Sequence, residues 1–222
     1  MNALSYLADH PGQVLALARA HLWISVLATG IAAAISVPLG IAVHRLRIVR
    51  VPALTLVSVG QAVPSLALLG LMLPLLGIGF TPALVAIGAR ALLPILLNTY
   101  AGLLTIPPAV VEAARGMGMT NGQILWRVEL RLALPVIVAG IRTALVVSIG
   151  VATLAAYIGA GGLGDLIFQG IAMVDTPLLL AGAIPAAVLA FVVDGLVGIL
   201  ERGLARSLAA PSRAPTHRRE PT

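Results

Sequence analysis

The sequence predicts an all-α membrane protein of about five transmembrane helices with a short helical insertion between the third and fourth. Three observations lead there. The 222 residues are 59% hydrophobic and only 10% charged, against about a quarter charged in soluble domains. Long apolar runs recur at the length needed to cross a hydrocarbon layer, about 20 residues each. All 14 basic side chains are arginine, and they cluster in the segments between runs.

The first span is "HLWISVLATGIAAAISVPLGIAV", which ends at the basic stretch from His44 to Arg50. The second runs from about Pro52 to Ile78, with Gln61 and Ser65 beside Pro64 as its polar members. The third, from about Pro82 to Ile106, contains Arg90 and Asn98. The fourth covers about Leu134 to Ile158 with Arg142 inside, and the fifth about Pro177 to Leu200 with Asp194 near its end. The first 20 residues make a poor sixth span because they carry Asp9, His10, Gln13 and Arg19. A cleaved signal peptide also fits poorly, since the first apolar run is too long for an h-region.

Orientation follows from arginine, which short cytoplasmic loops collect. Arg45, Arg47 and Arg50, then Arg115, Arg127 and Arg131, then the tail arginines from Arg202 onward all fall on one side of a five-span chain. That side is expected to be cytoplasmic, with the N-terminus outside. Residues 1–208 form one membrane domain, and 209–222, "AAPSRAPTHRREPT", read as a disordered cytoplasmic tail, rich in Pro and Arg and without apolar periodicity.

Several chemistries are excluded or disfavoured. There is no Lys, so a P-loop cannot place its lysine on nucleotide phosphates and the chain has no ATPase site of that type. With no Cys, disulfides and thiolate sites are absent. His10, His21, His44 and His217 are scattered without metal-ligand spacing. No metal, no cofactor in this chain and no nucleic-acid partner are expected.

Two stretches between spans are too polar or glycine-rich to cross. In "PPAVVEAARGMGMT", residues 107–120, Pro107 and Pro108 suit a first helical turn, and Gly116 and Gly118 suit its end. Val110, Ala113, Ala114 and Met117 form a narrow apolar stripe bordered by Glu112. A helix of about ten residues is marginal alone and must pack on its own protein or on another. Thr120-Asn121-Gly122-Gln123 has capping-box spacing and opens a second helix, "ILWRVELRLAL". The other stretch, "IGAGGLGDLIFQGIAMVDTP", turns sharply at its glycines. Its Leu166, Ile167, Gly170 and Ile171 predict a short amphipathic helix that lies on, or re-enters from, the external rim.

Within the spans, Arg142 and Asp194 lie close enough to the cytoplasmic ends to snorkel to the interface. Arg90 is deeper and faces protein or a water-filled path. Gln61, Pro64 and Ser65 make a polar, kinked spot that, with Arg90, is a candidate pathway lining. Only 4% of residues are aromatic.

The stretch "TIPPAVVEAARGMGMTNGQILWRVELRLALP" resembles the cytoplasmic EAA loop of binding-protein-dependent ABC transporter permeases, with Glu112-Ala113-Ala114 and Gly118 at the E-A-A-x-x-x-G spacing. "QAVPSLALLGLMLPLLGIG", "PALVAIGARALLPILLNTYAGL" and "ATLAAYIGAGGLGDLI" are similar to the osmoprotectant branch, which imports glycine betaine, choline or carnitine. One departure is visible. The family pattern often closes I-x-L-P, whereas Arg131 follows Leu130 here and the next proline is Pro135. The resemblance implies a methionine-importer-like permease fold in the cytoplasmic (inner) membrane of a bacterium or archaeon. It also implies a second permease subunit, identical or related, an ATP-binding subunit that holds ATP and Mg, an extracytoplasmic solute-binding protein and surrounding membrane lipid. Glu112, Ala113, Ala114 and Gly118 would couple the permease to that ATPase. The runner-up substrate is an amino acid such as methionine. An ion-coupled secondary transporter is a more distant alternative, because no internal repeat is evident.

Overall fold

A computed structural model describes residues 3–208; the expected tail, 209–222, lies outside the described residues. The described residues form ten α-helices with no strand among them. They are α1 (Ala3–Asp9), α2 (Pro11–Arg45), α3 (Arg47–Ala62), α4 (Ser65–Leu76), α5 (Phe80–Leu104), α6 (Pro108–Gly116), α7 (Asn121–Ile124), α8 (Leu130–Ala155), α9 (Gly164–Met173) and α10 (Thr176–Leu208). A π-helical turn, Leu125–Glu129, joins α7 to α8, and a single tight turn, Ala156–Ile158, follows α8.

Four helical stretches are long and apolar enough to cross a membrane: α2, α5, α10 and the continuous Asn121–Ile158. The second expected span, Pro52 to Ile78, is not one rod. Its two halves, α3 and α4, meet at 98°, and the break falls at Val63-Pro64, where both residues adopt extended backbone. Proline at 64 supplies the reason: it lacks an N–H, and it pushes the residue before it out of the helical region. Pro38, Pro94, Pro135 and Pro185 sit inside helices that continue through them, so proline alone does not dictate the break.

Two boundaries differ from the sequence reading. Helix α2 begins ten residues before the expected start, at Pro11 rather than His21, because Pro suits a first turn and the polar Gln13 and Arg19 need no burial at a helix end. The second short helix does not stop before span four. The capping box at Thr120 forms as expected, with both reciprocal bonds present. The chain then runs through the π-turn, where Leu130 N–H reaches Leu125 carbonyl, into α8. Arg131 retains the backbone donor that a proline there would remove, so the helix passes through.

Helix α5 is the hub, packing along both α2 and α8. No hydrophobic effect drives helices together inside lipid, so close approach through small residues carries the packing. A Cβ on Gly40 of α2 would lie 2.7 Å from Thr99 on α5, and one on Gly140 of α8 would lie 2.5 Å from Asn98 Cβ. Buried hydroxyls add a polar seam: Thr29 donates to Ser148 at 2.9 Å and Ser36 to the Leu92 carbonyl at 3.0 Å. His21, fully buried, holds the Ile149 carbonyl through Nε2 at 2.9 Å. The glycine-rich turn folds over this ring, and a Cβ on Gly162, at φ +95°, would lie 3.0 Å from His21 Nδ1.

Arg142 of α8 and Asp194 of α10, each well inside its helix, do not snorkel separately. Arg142 grips Asp194 with two parallel bonds, Nε to Oδ1 at 2.7 Å and Nη2 to Oδ2 at 2.6 Å, and reaches Glu201 at 3.1 Å. Gly198 makes space for the guanidinium, since a Cβ there would stand 2.9 Å from Arg142 Cζ. The fork geometry matches a carboxylate pair that a point charge cannot.

Two outcomes test this packing. Gly140→Leu is expected to lower stability by about 2 to 3 kcal/mol through overpacking against α5, read as the unfolding midpoint in detergent. Arg142→Asp and Asp194→Arg should each lower the folded yield, and the combined exchange should recover most of it; equal yields from single and double variants would contradict the pairing.

Candidate functional site

The residues singled out in the sequence fall into two separate groups. The first is α6 and its surroundings. Pro107 caps the helix in extended backbone and Pro108 opens it. At the other end Met117 N–H bonds the Ala113 carbonyl at 3.0 Å, Met119 N–H the Ala114 carbonyl at 3.2 Å, and Gly118 takes φ +81°. That left-handed conformation is what glycine accepts without a Cβ clash.

The faces of α6 are divided. Ala114 is turned into the protein and is 2% exposed, whereas Glu112 and Ala113 are exposed. Val110 and Met117, the remaining members of the apolar stripe, are also on the outside, Met117 at 75%. Three of the four stripe residues therefore lack cover from this chain, and only Ala114 is a packing residue. Beneath the helix lies a cavity of about 320 Å³, bordered by His44, Leu103, Val111, Glu112, Arg115 and Glu129. Glu129, on the π-turn, is buried and pairs with Arg45 at the end of α2 at 2.5 Å. This ion pair, which the sequence reading missed, pins the segment after α6 to the first long helix. Its signal was faint: one acidic residue in "RVELR", surrounded by arginines.

The second group is the broken span. Arg90 and Gln61 bond reciprocally: Arg90 Nη1 donates to the carbonyls of Gln61 at 2.6 Å and Val63 at 3.2 Å, while Gln61 Nε2 donates to the carbonyls of Arg90 at 2.9 Å and Ala89 at 3.3 Å. Pro64 stands at the cap of α4 and Ser65 is its first residue. The bend strips the last carbonyls of α3 of their helical partners, and the guanidinium of a neighbouring helix replaces those partners. Arg90, Gln61 and Pro64 are thus brought together as a helix-breaking unit. Arg50 of α3 also lies over the Tyr100 ring of α5 at 5.0 Å, which holds the far end of the same half-helix.

At the opposite end of the bundle, Asp165 in the first turn of α9 is half-buried, and burial pushes its carboxyl above the usual carboxylate range. Among the described residues no group of three or more His, Asp or Glu is placed to hold a metal ion.

Comparison with known proteins decides the family. The model of the family described as "Binding-protein-dependent transport system inner membrane component" matches residues 25–206. The chain belongs to this permease family. The permease is 45% identical to the osmoprotectant import permease protein OsmW of Salmonella typhimurium over 206 residues, which cover 90% of this chain and 96% of that one. It is 39% identical to the glycine betaine/carnitine/choline transport system permease protein OpuCB of Bacillus subtilis, over 90% and 92% of the two chains. With the carnitine transport permease protein OpuCB of Listeria monocytogenes it shares 48% identity over 82% and 83%. Its fold is that of the inward-facing MetNI methionine ABC transporter, with a TM-score of 0.78 at 22% identity over 88% and 98% of the chains. The family description makes the permease a multi-pass membrane component of a transport system.

Replacing Arg90 by Met should destabilise the permease by roughly 2 kcal/mol, the scale of charge-assisted bonds to carbonyls left unpaired; Arg90→Lys, which keeps the charge but not the fork, should recover less than half. Unfolding in mixed micelles checks both. Arg45→Leu strands a buried carboxylate and should cost about 2 kcal/mol or more, while Arg45→Leu combined with Glu129→Leu should cost less than Arg45→Leu alone.

Proposed function

We propose that this chain is the membrane-spanning subunit of an ATP-driven importer of quaternary-amine osmoprotectants such as glycine betaine, choline or carnitine. The observation that carries the mechanism is α6: a nine-residue helix whose outer face, Val110, Glu112, Ala113 and Met117, is left uncovered while Ala114 alone is buried. A helix so short gains stability from packing, and the exposed face fits a cleft on a separate ATP-binding subunit that carries the ATP and Mg. Ala113 admits close approach, Glu112 offers a polar contact, Ala114 seats the helix on its own protein, and Gly118 makes the turn into α7. Because α7 continues into α8 without a loop, displacement of α6 is passed along a continuous helical stretch.

The substrate class rests on the relatives. Those between 39% and 48% identical carry osmoprotectant, carnitine or glycine betaine/carnitine/choline names, whereas the likeness to amino-acid importers is one of fold at 19% to 24% identity. The chain works with a second permease subunit and receives its solute from an extracytoplasmic binding protein. The arginine clusters orient it with the N-terminus outside and the α6 end and the C-terminus in the cytoplasm. On this reading Gln61, Pro64 and Arg90 set the shape of the pathway wall, with Ser65 beside them at the start of α4.

Ala113→Trp is the informative change, because residue 113 is exposed and a large side chain there blocks docking without disturbing the fold. Membrane insertion and yield should match the wild type, while co-purification of the ATPase and uptake of labelled glycine betaine fall at least ten-fold. Normal uptake at normal yield would refute the coupling role. Uptake of methionine but of no quaternary amine by the wild-type transporter would refute the substrate class.

A further inference from the structure

Tyr157 closes the turn after α8 and Phe168 lies in α9, and the glycine-rich segment between them folds back so that the two rings meet with centroids 5.5 Å apart and planes inclined at 50°. This is the one contact between Phe, Tyr or Trp rings found among the described residues, in a chain that is only 4% aromatic. The rings open onto a cavity of about 270 Å³ whose remaining wall is the half-helix α4, through Leu66, Leu69, Gly70 and Leu73, with Ile158. Tyr157 is 72% exposed, so its ring is available from outside.

We infer that this corner is a low-affinity site for a quaternary ammonium group on the permease itself, formed by Tyr157 and Phe168 against α4. The inference rests on the reading of the chain as a quaternary-amine importer and adds the part of the wall that the cation touches. A tetraalkylated nitrogen carries its charge under a shell of methyl groups and has no hydrogen to donate. It gains from ring faces through their quadrupole and tolerates a wall of leucines. A primary ammonium has three donors that such a wall leaves unpaired, at a desolvation cost, and a bare inorganic cation needs oxygen ligands that this lining lacks. Both rings line the same cavity, so a methylated head held there meets aromatic surface from Tyr157 and Phe168. The cavity abuts the bent span, so a cation held there touches the half-helix whose direction is set by Arg90 and Gln61.

The test uses the assembled permease and ATPase complex in lipid nanodiscs without the binding protein, titrated with tetramethylammonium, choline and ethanolamine and read by saturation transfer to their proton resonances. The expected result is saturation of tetramethylammonium and choline methyls with none for ethanolamine. Tyr157→Leu should weaken tetramethylammonium binding roughly five- to ten-fold, and Tyr157→Phe should leave it within two-fold. Because Tyr157 is exposed, both variants should retain the wild-type unfolding midpoint. Absence of saturation in the wild type, equal titrations for wild type and Tyr157→Leu, or equal responses to choline and ethanolamine would each overturn the site. Uptake of glycine betaine by the wild type, assayed separately in proteoliposomes with the binding protein, keeps the two readings distinct: uptake without binding at the corner removes this inference alone, and binding without any uptake removes the importer reading alone.

Discussion

Inside a hydrocarbon layer every backbone carbonyl needs a partner from the protein, because water is not there to supply one. The bend between α3 and α4 is the place where this constraint is sharpest. Turning the chain by 98° frees carbonyls at the end of α3, and a bare break of that kind would be costly. Arg90 answers Gln61 and Val63, and Gln61 answers Ala89 and Arg90, so the two helices satisfy each other. The position of α4, the wall it offers to the aromatic corner, and the packing of α4 on α5 all follow from that exchange. A charged residue in a span is usually read as a functional group in waiting; here its first task is structural, and its effect on any pathway acts through the shape it imposes.

The bundle behind the bend is held by a different kind of contact. Gly40 against Thr99 and Gly140 against Asn98 bring α2, α5 and α8 closer than larger side chains would permit. Hydroxyls between them are paired within the protein. A further polar contact holds the α6 end. There the Arg45–Glu129 pair ties the π-turn to α2, and the turn runs into α8 without a loop. π-turns occur frequently at functional sites, and in this chain one lies near the start of the longest continuous helical stretch among the described residues, Asn121–Ile158, soon after the exposed α6.

Much of this was legible in the sequence. Most apolar runs of spanning length, proline before and glycine after α6, and the Thr120 capping box depend on local chemistry and formed where the residues placed them; the second run broke at Pro64 and the first helix began ten residues early. The EAA spacing and the flanking segments pointed to the family that the comparisons establish. The misjudged points share one cause. Arg142 was expected to reach for the interface because a single sequence does not reveal that Asp194 and Glu201, more than fifty residues away, stand opposite it. Ala113 and Ala114 look equivalent in the triplet, yet one faces out and the other in, because the rotation of α6 is set by what lies beneath it.

The sequence by itself therefore determined the class of the protein, four of its five apolar spans, the short helix between them and the lack of a nucleotide-binding lysine, since these follow from composition and from interactions within a few residues. Only the tertiary structure decided which polar residues in the spans belong together, that Pro64 breaks its helix while Pro38 and Pro94 do not, and that Tyr157 and Phe168 meet. A proline yields a sharp break in lipid only where another helix supplies hydrogen bonds to the freed carbonyls, and whether such a partner is present is settled by the packing of distant segments.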